Sequence, residues 1–215
     1  MGQEINRPVQ KVILCKVGGS LLGWAGFPSR LQQFLDQLDA PALLLMGGGG
    51  CADVVRQWDQ VYNLGEEKSH QLAIESLSLT ARLLVGLLPD AVLVCNQKQL
   101  DSAMSQKQVC VLDPKSWIDW FEPGSEIELP HHWDITSDSI ALWLAAELGI
   151  DRLTLVKSVD LPPETDWKSA SMSGLVDAGF PAMLQQLTDQ GCSISCRWVN
   201  LRGEIDLEKR FDAEK

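Results

Sequence analysis

The sequence predicts an α/β protein built on a mainly parallel, open sheet with helices on both faces. Three observations predict it. Short apolar runs alternate with longer helix-like stretches from residue 12 onward, which is the order of a parallel sheet with crossover helices. Most of the short runs are continuously apolar, as expected of strands covered on both sides. Glycine-rich turns follow the first two runs, at the strand ends where open sheets of this kind bind ligands. The length of 215 residues suits one large α/β domain or two small ones, and the chain is read as a single domain, 1–215, with no separate regulatory domain.

The elements follow in order. A strand over 12–16 runs into Lys16-Val17-Gly18-Gly19-Ser20. A helix is expected over 29–38 and a strand over 42–46, followed by Gly47-Gly48-Gly49-Gly50. Helices are expected over 51–62 and 66–88. In the latter, His70, Ile74, Leu77, Ala81 and Leu84 form one stripe, and Leu72, Leu79, Leu83 and Leu87 a second. A helix apolar on two sides is expected to pack between elements. Strands over 91–95 and 109–112 precede an irregular, Trp- and Pro-bearing segment, 113–134. The apolar helix 136–148 stops at Gly149, a natural C-cap. A strand over 152–156, a loop-rich cover over 159–174, a helix over 175–189 and a strand over 194–199 complete the series. The charged residues 204–215 read as a fraying end or short surface turn.

Composition narrows the function classes. Hydrophobic residues make up 45% and charged residues 22%, with a net charge of −11. No basic stripe is present, so a nucleic-acid partner is not expected. No uninterrupted apolar stretch reaches bilayer length, so no membrane partner is expected. Cys15, Cys95 and Cys110 lie in strand-like runs, the usage of small buried hydrophobes in a reducing compartment. Cys192 and Cys196 lack partners at zinc spacing, and no metal site is expected. The start Met1-Gly2-Gln3-Glu4 shows no signal-peptide pattern, and Asn6 breaks the myristoylation pattern that Gly2 invites. The expected location is cytoplasmic.

The two glycine turns carry the chemistry. Without a Cβ, Gly18 and Gly19 let backbone N–H groups close on an anion, Lys16 adds a positive charge, and Ser20 adds a hydroxyl at a helix start. Gly48, Gly49 and Gly50 are costly to order and suit backbone that lies against a ligand. Two such turns on one sheet edge suit two anionic groups. Thr136-Ser137-Asp138 opens an apolar helix: Thr136 or Ser137 can cap it and Asp138 suits its dipole, or Asp138 holds a phosphate-binding lysine. Lys157-Ser158-Val159-Asp160 follows the fifth strand at the same edge. Arg56 suits an acceptor phosphate, or a solvated set with Asp53 and Asp59. His70 reads as a core or capping histidine. Arg82, in the same long helix, is placed for an acceptor or a partner subunit.

In chain order, Lys16-x-Gly-Gly-Ser, the glycine run 47–50, Thr136-Ser137-Asp138 and Lys157-Ser158-Val159-Asp160 resemble the amino acid kinase superfamily, over residues 11 to about 200. The runs 48–59, 136–141 and 174–180 are similar to the branch that phosphorylates an aminomethylfuran phosphate in methanofuran biosynthesis. The resemblance implies a three-layer αβα sandwich, ATP with Mg²⁺, a small phosphorylated or acidic acceptor, and a homodimer or larger homo-oligomer. It implies that Lys16 and Asp138 are catalytic, with Asp138 orienting Lys16. Gly18, Gly19, Ser20, Lys157, Ser158 and Asp160 would border the nucleotide, and Gly48, Gly49, Gly50 and Arg56 the acceptor. One departure stands out. Many relatives place a second catalytic lysine in a late Gly-Met-x-x-Lys stretch, and the matching residues Gly174 to Phe180 contain none. Either Lys157 or Lys168 compensates, or the chain is a non-catalytic nucleotide- or oxyanion-binding member. A dinucleotide enzyme is a further reading, disfavoured because the first turn lacks Gly-x-Gly-x-x-Gly.

Overall fold

The computed structural model describes residues 12–205, 207 and the backbone of 210 and 211. The reading of the first eleven residues, and of most of the charged tail, lies outside the described residues. Seven strands form one sheet: β1 (Ile13–Val17), β2 (Ala42–Met46), β3 (Ala91–Val94), β4 (Val109–Leu112), β5 (Arg152–Lys157), β6 (Ser195–Asn200) and β7 (Arg210–Phe211). Their order across the sheet is β3-β4-β2-β1-β5-β6-β7. All pairings are parallel except β6 with β7. Part of the tail read as frayed therefore adds an edge strand beside β6.

Register sets the site. Val17 of β1 lies level with Met46 of β2 and Val156 of β5. Three strands thus end together, and the residues that follow them meet at one rim. The chain leaves β1 toward β2 on one side and returns on the other side as β5, which makes this rim the switch point of the sheet.

Eight α-helices accompany the described sheet: α1 (Phe27–Leu35), α2 (Gly50–Tyr62), α3 (Glu66–Leu87), α4 (Gln97–Ser105), α5 (Pro114–Phe121), α6 (Ser137–Leu148), α7 (Trp167–Met172) and α8 (Phe180–Asp189). One core packs Leu14, Leu43, Leu45 and Leu112 of the strands against Trp117, Trp143 and Phe180 of the helices. The opposite face packs Ile13, Cys15, Val17 and Leu44 against Leu31 and Phe34 of α1. Alternate residues of each strand thus feed opposite cores, as a doubly covered sheet requires. The buried cysteines behave as expected: burial pushes the Cys15 and Cys196 thiols up to about 12. α6 is the central helix, buried from Ser137 through Ala145. It ends at Gly149, whose left-handed backbone lets its N–H close on Ala145 and Ala146 carbonyls.

The structure corrects several expectations. The segments 113–134 and 159–174 are not wholly irregular: they contain α5 and α7, and α4 lies between β3 and β4. α5 opens on Pro114 in its first turn, where proline fits a helix because the first N–H groups need no partner. The helix expected over 175–189 begins only at Phe180, after a turn at Gly174, where φ is +68°. α3 buries one stripe, from His70 to Leu84, but Leu79, Leu83 and Leu87 of the second stripe are exposed. Among the described residues nothing covers them.

Candidate active site

β1 carries Lys16 to the rim with its side chain almost fully buried, and α6 brings Asp138 beneath it in its first turn. The Lys16 Nζ lies 2.8 Å from Asp138 Oδ1. Lys157, the last residue of β5, donates to Asp138 Oδ2 at 2.8 Å and to the Leu175 carbonyl at 2.8 Å. One carboxylate therefore holds two ammonium groups, one from each strand flanking the switch point. Burial alone would raise the Asp138 pKa, but the two lysines outweigh it and hold it at about 2. Burial and the neighbouring Lys16 charge bring Lys157 down to about 8, against the pull of Asp138. Lys157 also lies over the Trp198 ring, 5.4 Å from its centroid. Lys168, by contrast, is exposed on α7.

The two glycine turns cross at this rim, backbone against backbone. A Cβ on Gly19 would sit 2.2 Å from the Gly49 nitrogen, and one on Gly48 would sit 2.6 Å from the Ser76 hydroxyl. Gly49 has φ of +52°, and a Cβ there would meet the Gly19 carbonyl. Glycine is thus required at three close approaches, one on the first turn and two on the second. Gly50, at the start of α2, has open space where a Cβ would go. Gly18 spends its N–H on the Val156 carbonyl, continuing the β1–β5 ladder. The N–H groups of Gly48, Gly49 and Gly50 make no backbone hydrogen bond among the described residues. They form the N-terminal end of α2, where the helix dipole favours an anion. The Ser20 and Ser158 hydroxyls lie 3.1 Å apart, joining the two turns that follow β1 and β5. Asp160 is exposed two residues further on.

The N-terminus of α6 is closed from a distant segment of the chain. Thr136 is its N-cap residue, but its side chain does not close the cap. Asp177 does so instead: its carboxylate accepts from the N–H and hydroxyl of both Thr136 and Ser139. The late stretch that lacks a lysine thus contributes the carboxylate that fixes the helix bearing Asp138. Burial and the nearby Asp138 charge raise the Asp177 pKa. No spacing in the sequence points to this partnership, because the two segments lie forty residues apart.

Beside the glycine rim lies a cavity of about 230 Å³. Gly19, Ser20 and Gly47 to Gly50 form one wall; Ile74, Leu77, Ile135 and Ile140 give it an apolar floor; Arg56 and Trp133 stand at its edge. The Arg56 guanidinium lies 4.9 Å from the Trp133 ring centroid and pairs with Asp53 at 2.8 Å. The Trp133 indole N–H donates to Asp59 at 2.8 Å. Arg56 is therefore held against an aromatic plane, and the solvated Asp53–Arg56–Asp59 set is part of that frame. Trp133 is a site residue that sequence reasoning missed, and Asp59, which was grouped with Arg56 and Asp53, also holds its indole. The Trp-rich composition of 113–134 was the only signal for the first.

His70 is buried in the cavity wall, as a core histidine was expected to be. Its Nε2 faces the Ile135 carbonyl at 2.8 Å, so that nitrogen carries the proton. Its Nδ1 is then the acceptor for His131 Nδ1 at 3.3 Å, and His131 Nε2 contacts the Glu122 carboxylate. Burial lowers the His70 pKa, in keeping with a neutral ring. Among the described residues no group of three His, Cys, Asp or Glu side chains could hold a metal by itself.

Comparison with known structures agrees with this architecture. The chain matches uridylate kinase from Archaeoglobus fulgidus with a TM-score of 0.55 and 17% identity, over 86% of this chain and 88% of that one. It matches UMP kinase from Ureaplasma parvum with a TM-score of 0.58 and 12% identity, over 93% and 91%. This is the fold of the amino acid kinase superfamily. In sequence the chain is 25% identical, over 150 residues, to a kinase of that superfamily, [5-(aminomethyl)furan-3-yl]methyl phosphate kinase from Methanocaldococcus jannaschii. The match spans 68% of this chain and 66% of that relative, just under two thirds of its length. No protein-family model matches the chain. No helix among the described residues is long and apolar enough to cross a membrane.

Proposed function

We propose that the chain is an ATP-dependent small-molecule kinase that moves the γ-phosphoryl group to a small, phosphorylated acceptor, with an aminomethylfuran phosphate of one-carbon cofactor biosynthesis as the leading candidate. One observation carries the reading. Two ammonium groups, Lys16 and Lys157, share one buried carboxylate at the rim where the glycine turns cross, next to a cavity of suitable size. Phosphoryl transfer needs positioning and charge neutralisation more than covalent help from the protein.

In this reading Asp138 holds both ammonium groups at fixed positions, so no reorganisation is needed as charge develops on the phosphoryl oxygens. The free N–H groups of Gly48 to Gly50 face the same space from the N-terminus of α2. Ser20 and Ser158 border the nucleotide phosphates, and the turn carrying Asp160 flanks it. Lys157 supplies the second cation that relatives take from the late lysine. Arg56, held over the Trp133 ring, receives the acceptor's phosphate at the cavity edge, and the apolar floor takes its ring.

The donor set fits a metal that arrives on the nucleotide. The rim offers cations, hydroxyls and N–H groups in place of a carboxylate cage, and Mg²⁺ in enzymes of this kind is commonly held largely by the phosphates. When bound, Mg²⁺ would supply further neutralisation of the transferred group.

The test is direct. Purified protein is incubated with ATP, Mg²⁺ and a panel of furan and other small phosphates, and ADP and product are followed by mass spectrometry. Acceptor-dependent ADP release supports the proposal. Nucleotide binding with no turnover across the panel favours a non-catalytic binding protein of the same fold.

A further inference from the structure

We infer that His131 is a positioning residue for the acceptor phosphate. It fixes the loop carrying Trp133 through a hydrogen-bonded chain, Glu122–His131–His70–Ile135, that is complete only when an extra proton is bound. The inference rests on the proposed reading of the cavity as the acceptor site and adds what holds that site in shape.

His70, on α3, grips this loop at both ends. Its Nδ1 meets His131 Nδ1 at 3.3 Å, and its Nε2 meets the Ile135 carbonyl at 2.8 Å. Between the two grips the Ile135 N–H donates to the His132 carbonyl at 3.0 Å, which closes the turn. Trp133 lies in the middle of that turn. From there it reaches α2, where its indole N–H donates to Asp59 and its ring lies under the Arg56 guanidinium. One short loop thus joins α3 to α2 beside the cavity. Because the loop is clamped before any ligand arrives, Arg56 is presented without the cost of ordering it on binding.

A proton count sets the condition. The chain has three links, and each needs one proton. Two neutral imidazoles supply two. The link from His131 Nε2 to the Glu122 carboxylate therefore needs one proton more. His70 is not its place: the ring is 2% exposed, and burial lowers its pKa. The His131 side chain is 24% exposed and meets the carboxylate directly. The extra proton makes an imidazolium there, and Glu122 balances its charge.

Other ionisable groups stand around the chain. His132 and Asp134 lie in the same loop, 3.8 Å apart. Asp59 and Arg56 face it from α2 through Trp133. Asp177 binds Thr136 just beyond Ile135. Among the described residues none of these enters the chain. When the third proton leaves, His131 has one N–H for two acceptors, and one end of the clamp opens. Both ring nitrogens of His70 are engaged, so it offers no lone pair to an acceptor hydroxyl.

The experiment uses the full chain and two probes, benzyl phosphate and benzyl sulfonate. The sulfonate keeps one charge throughout, which removes the ligand's own titration. Nitrogen NMR of histidine-labelled protein at about pH 6 is expected to show His131 protonated at both ring nitrogens and His70 at Nε2 alone. By calorimetry, wild type is expected to bind both probes roughly tenfold more weakly at about pH 9 than at about pH 6. His131→Phe keeps a ring but removes both donors. It is expected to bind roughly tenfold more weakly than wild type at about pH 6 and to lose the pH dependence, with an unchanged circular dichroism spectrum. Glu122→Gln is expected to move the loss of binding to lower pH, because the imidazolium loses its counter-charge. His132→Gln is expected to match wild type. A singly protonated His131 at about pH 6 overturns the inference. So does equal binding by wild type and His131→Phe, or no binding by wild type. A pH dependence that persists in His131→Phe belongs to Lys157 and overturns it as well. Failure of the kinase reading looks different: no ADP release across the acceptor panel, with the imidazole pattern and the pH-dependent probe binding intact.

Discussion

The glycine rim and the cavity beside it share a wall but are built in opposite ways. At the rim, strands deliver Lys16 and Lys157, both largely buried, to one carboxylate on a buried helix. At the cavity, Arg56 is 44% exposed and depends on a loop tryptophan and two surface carboxylates for its position. The rim is fixed by sheet register and by the absence of Cβ atoms. The cavity is fixed by side chains that can be exchanged without touching the sheet. A fold divided in this way can keep the chemistry of its rim while recognition at the cavity changes.

Substitutions at the rim should therefore cost stability or rate steeply, and those at the cavity should alter recognition alone. The largest expected effect is at Asp138. Asp138→Asn leaves two buried ammonium groups without a counter-charge, and urea denaturation should show a loss of about 3–5 kcal/mol. The pH dependence has a defined sign. Folding lowers the Asp138 pKa from 3.8 to about 2. Its stabilising contribution is complete above pH 3.8 and is lost as pH falls toward 2.

Lys157→Met should lower turnover by roughly a hundredfold to a thousandfold, with Lys168→Met unchanged. If Lys168→Met is the damaging one, the second cation has been placed wrongly. The Lys157 pKa of about 8 predicts that kcat/KM declines above pH 8 as the ammonium is lost. Lys157→Arg should move that alkaline limb upward, because a guanidinium stays charged. Stability runs the other way: folding lowers this pKa from 10.5 to about 8, so the unfolded chain binds more protons in that window. Stability should rise with pH across it.

The glycines offer a sharper contrast. Gly19→Ala forces the two turns apart and should cost about 1–3 kcal/mol along with activity. Gly50→Ala meets nothing and should be neutral or add about 0.4–1 kcal/mol. The smallest effect belongs to the cavity. Trp133→Leu frees Arg56 and should raise the acceptor KM about tenfold while kcat changes little. A matching fall in kcat would mean that the indole shapes the rim as well.

Much of the fold could be read from the chain. The first six strands lie within one residue of their expected positions, because continuous apolar runs bounded by glycine and polar turns have few other uses. α2, α3 and α6 were equally plain. α4 was missed because only Leu100 and Ala103 of its nine residues are buried, which leaves little periodicity to read. α5 was hidden by a proline taken as a breaker, and α7 by its six-residue length. At the site, the Lys16–Asp138 pair was anticipated only through the resemblance to the amino acid kinase superfamily, because spacing alone left Asp138 equally suited to a capping role. The sharing of Asp138 with Lys157 was not, because it follows from parallel register between β1 and β5. Asp177 on α6 and Asp59 on Trp133 were out of reach for a similar reason: each joins segments that are distant in sequence and carry no mutual signal.

The crossing of Gly19 over Gly49 has a consequence for how such proteins diverge. Two turns that touch along their main chains have no slack between them, so a residue gained or lost in one changes the path required of the other. Their lengths should be inherited together, as a single heritable unit spread over two distant stretches of sequence. Recombination that takes the first turn from one parent and the second from another should yield misfits even when every side chain is compatible.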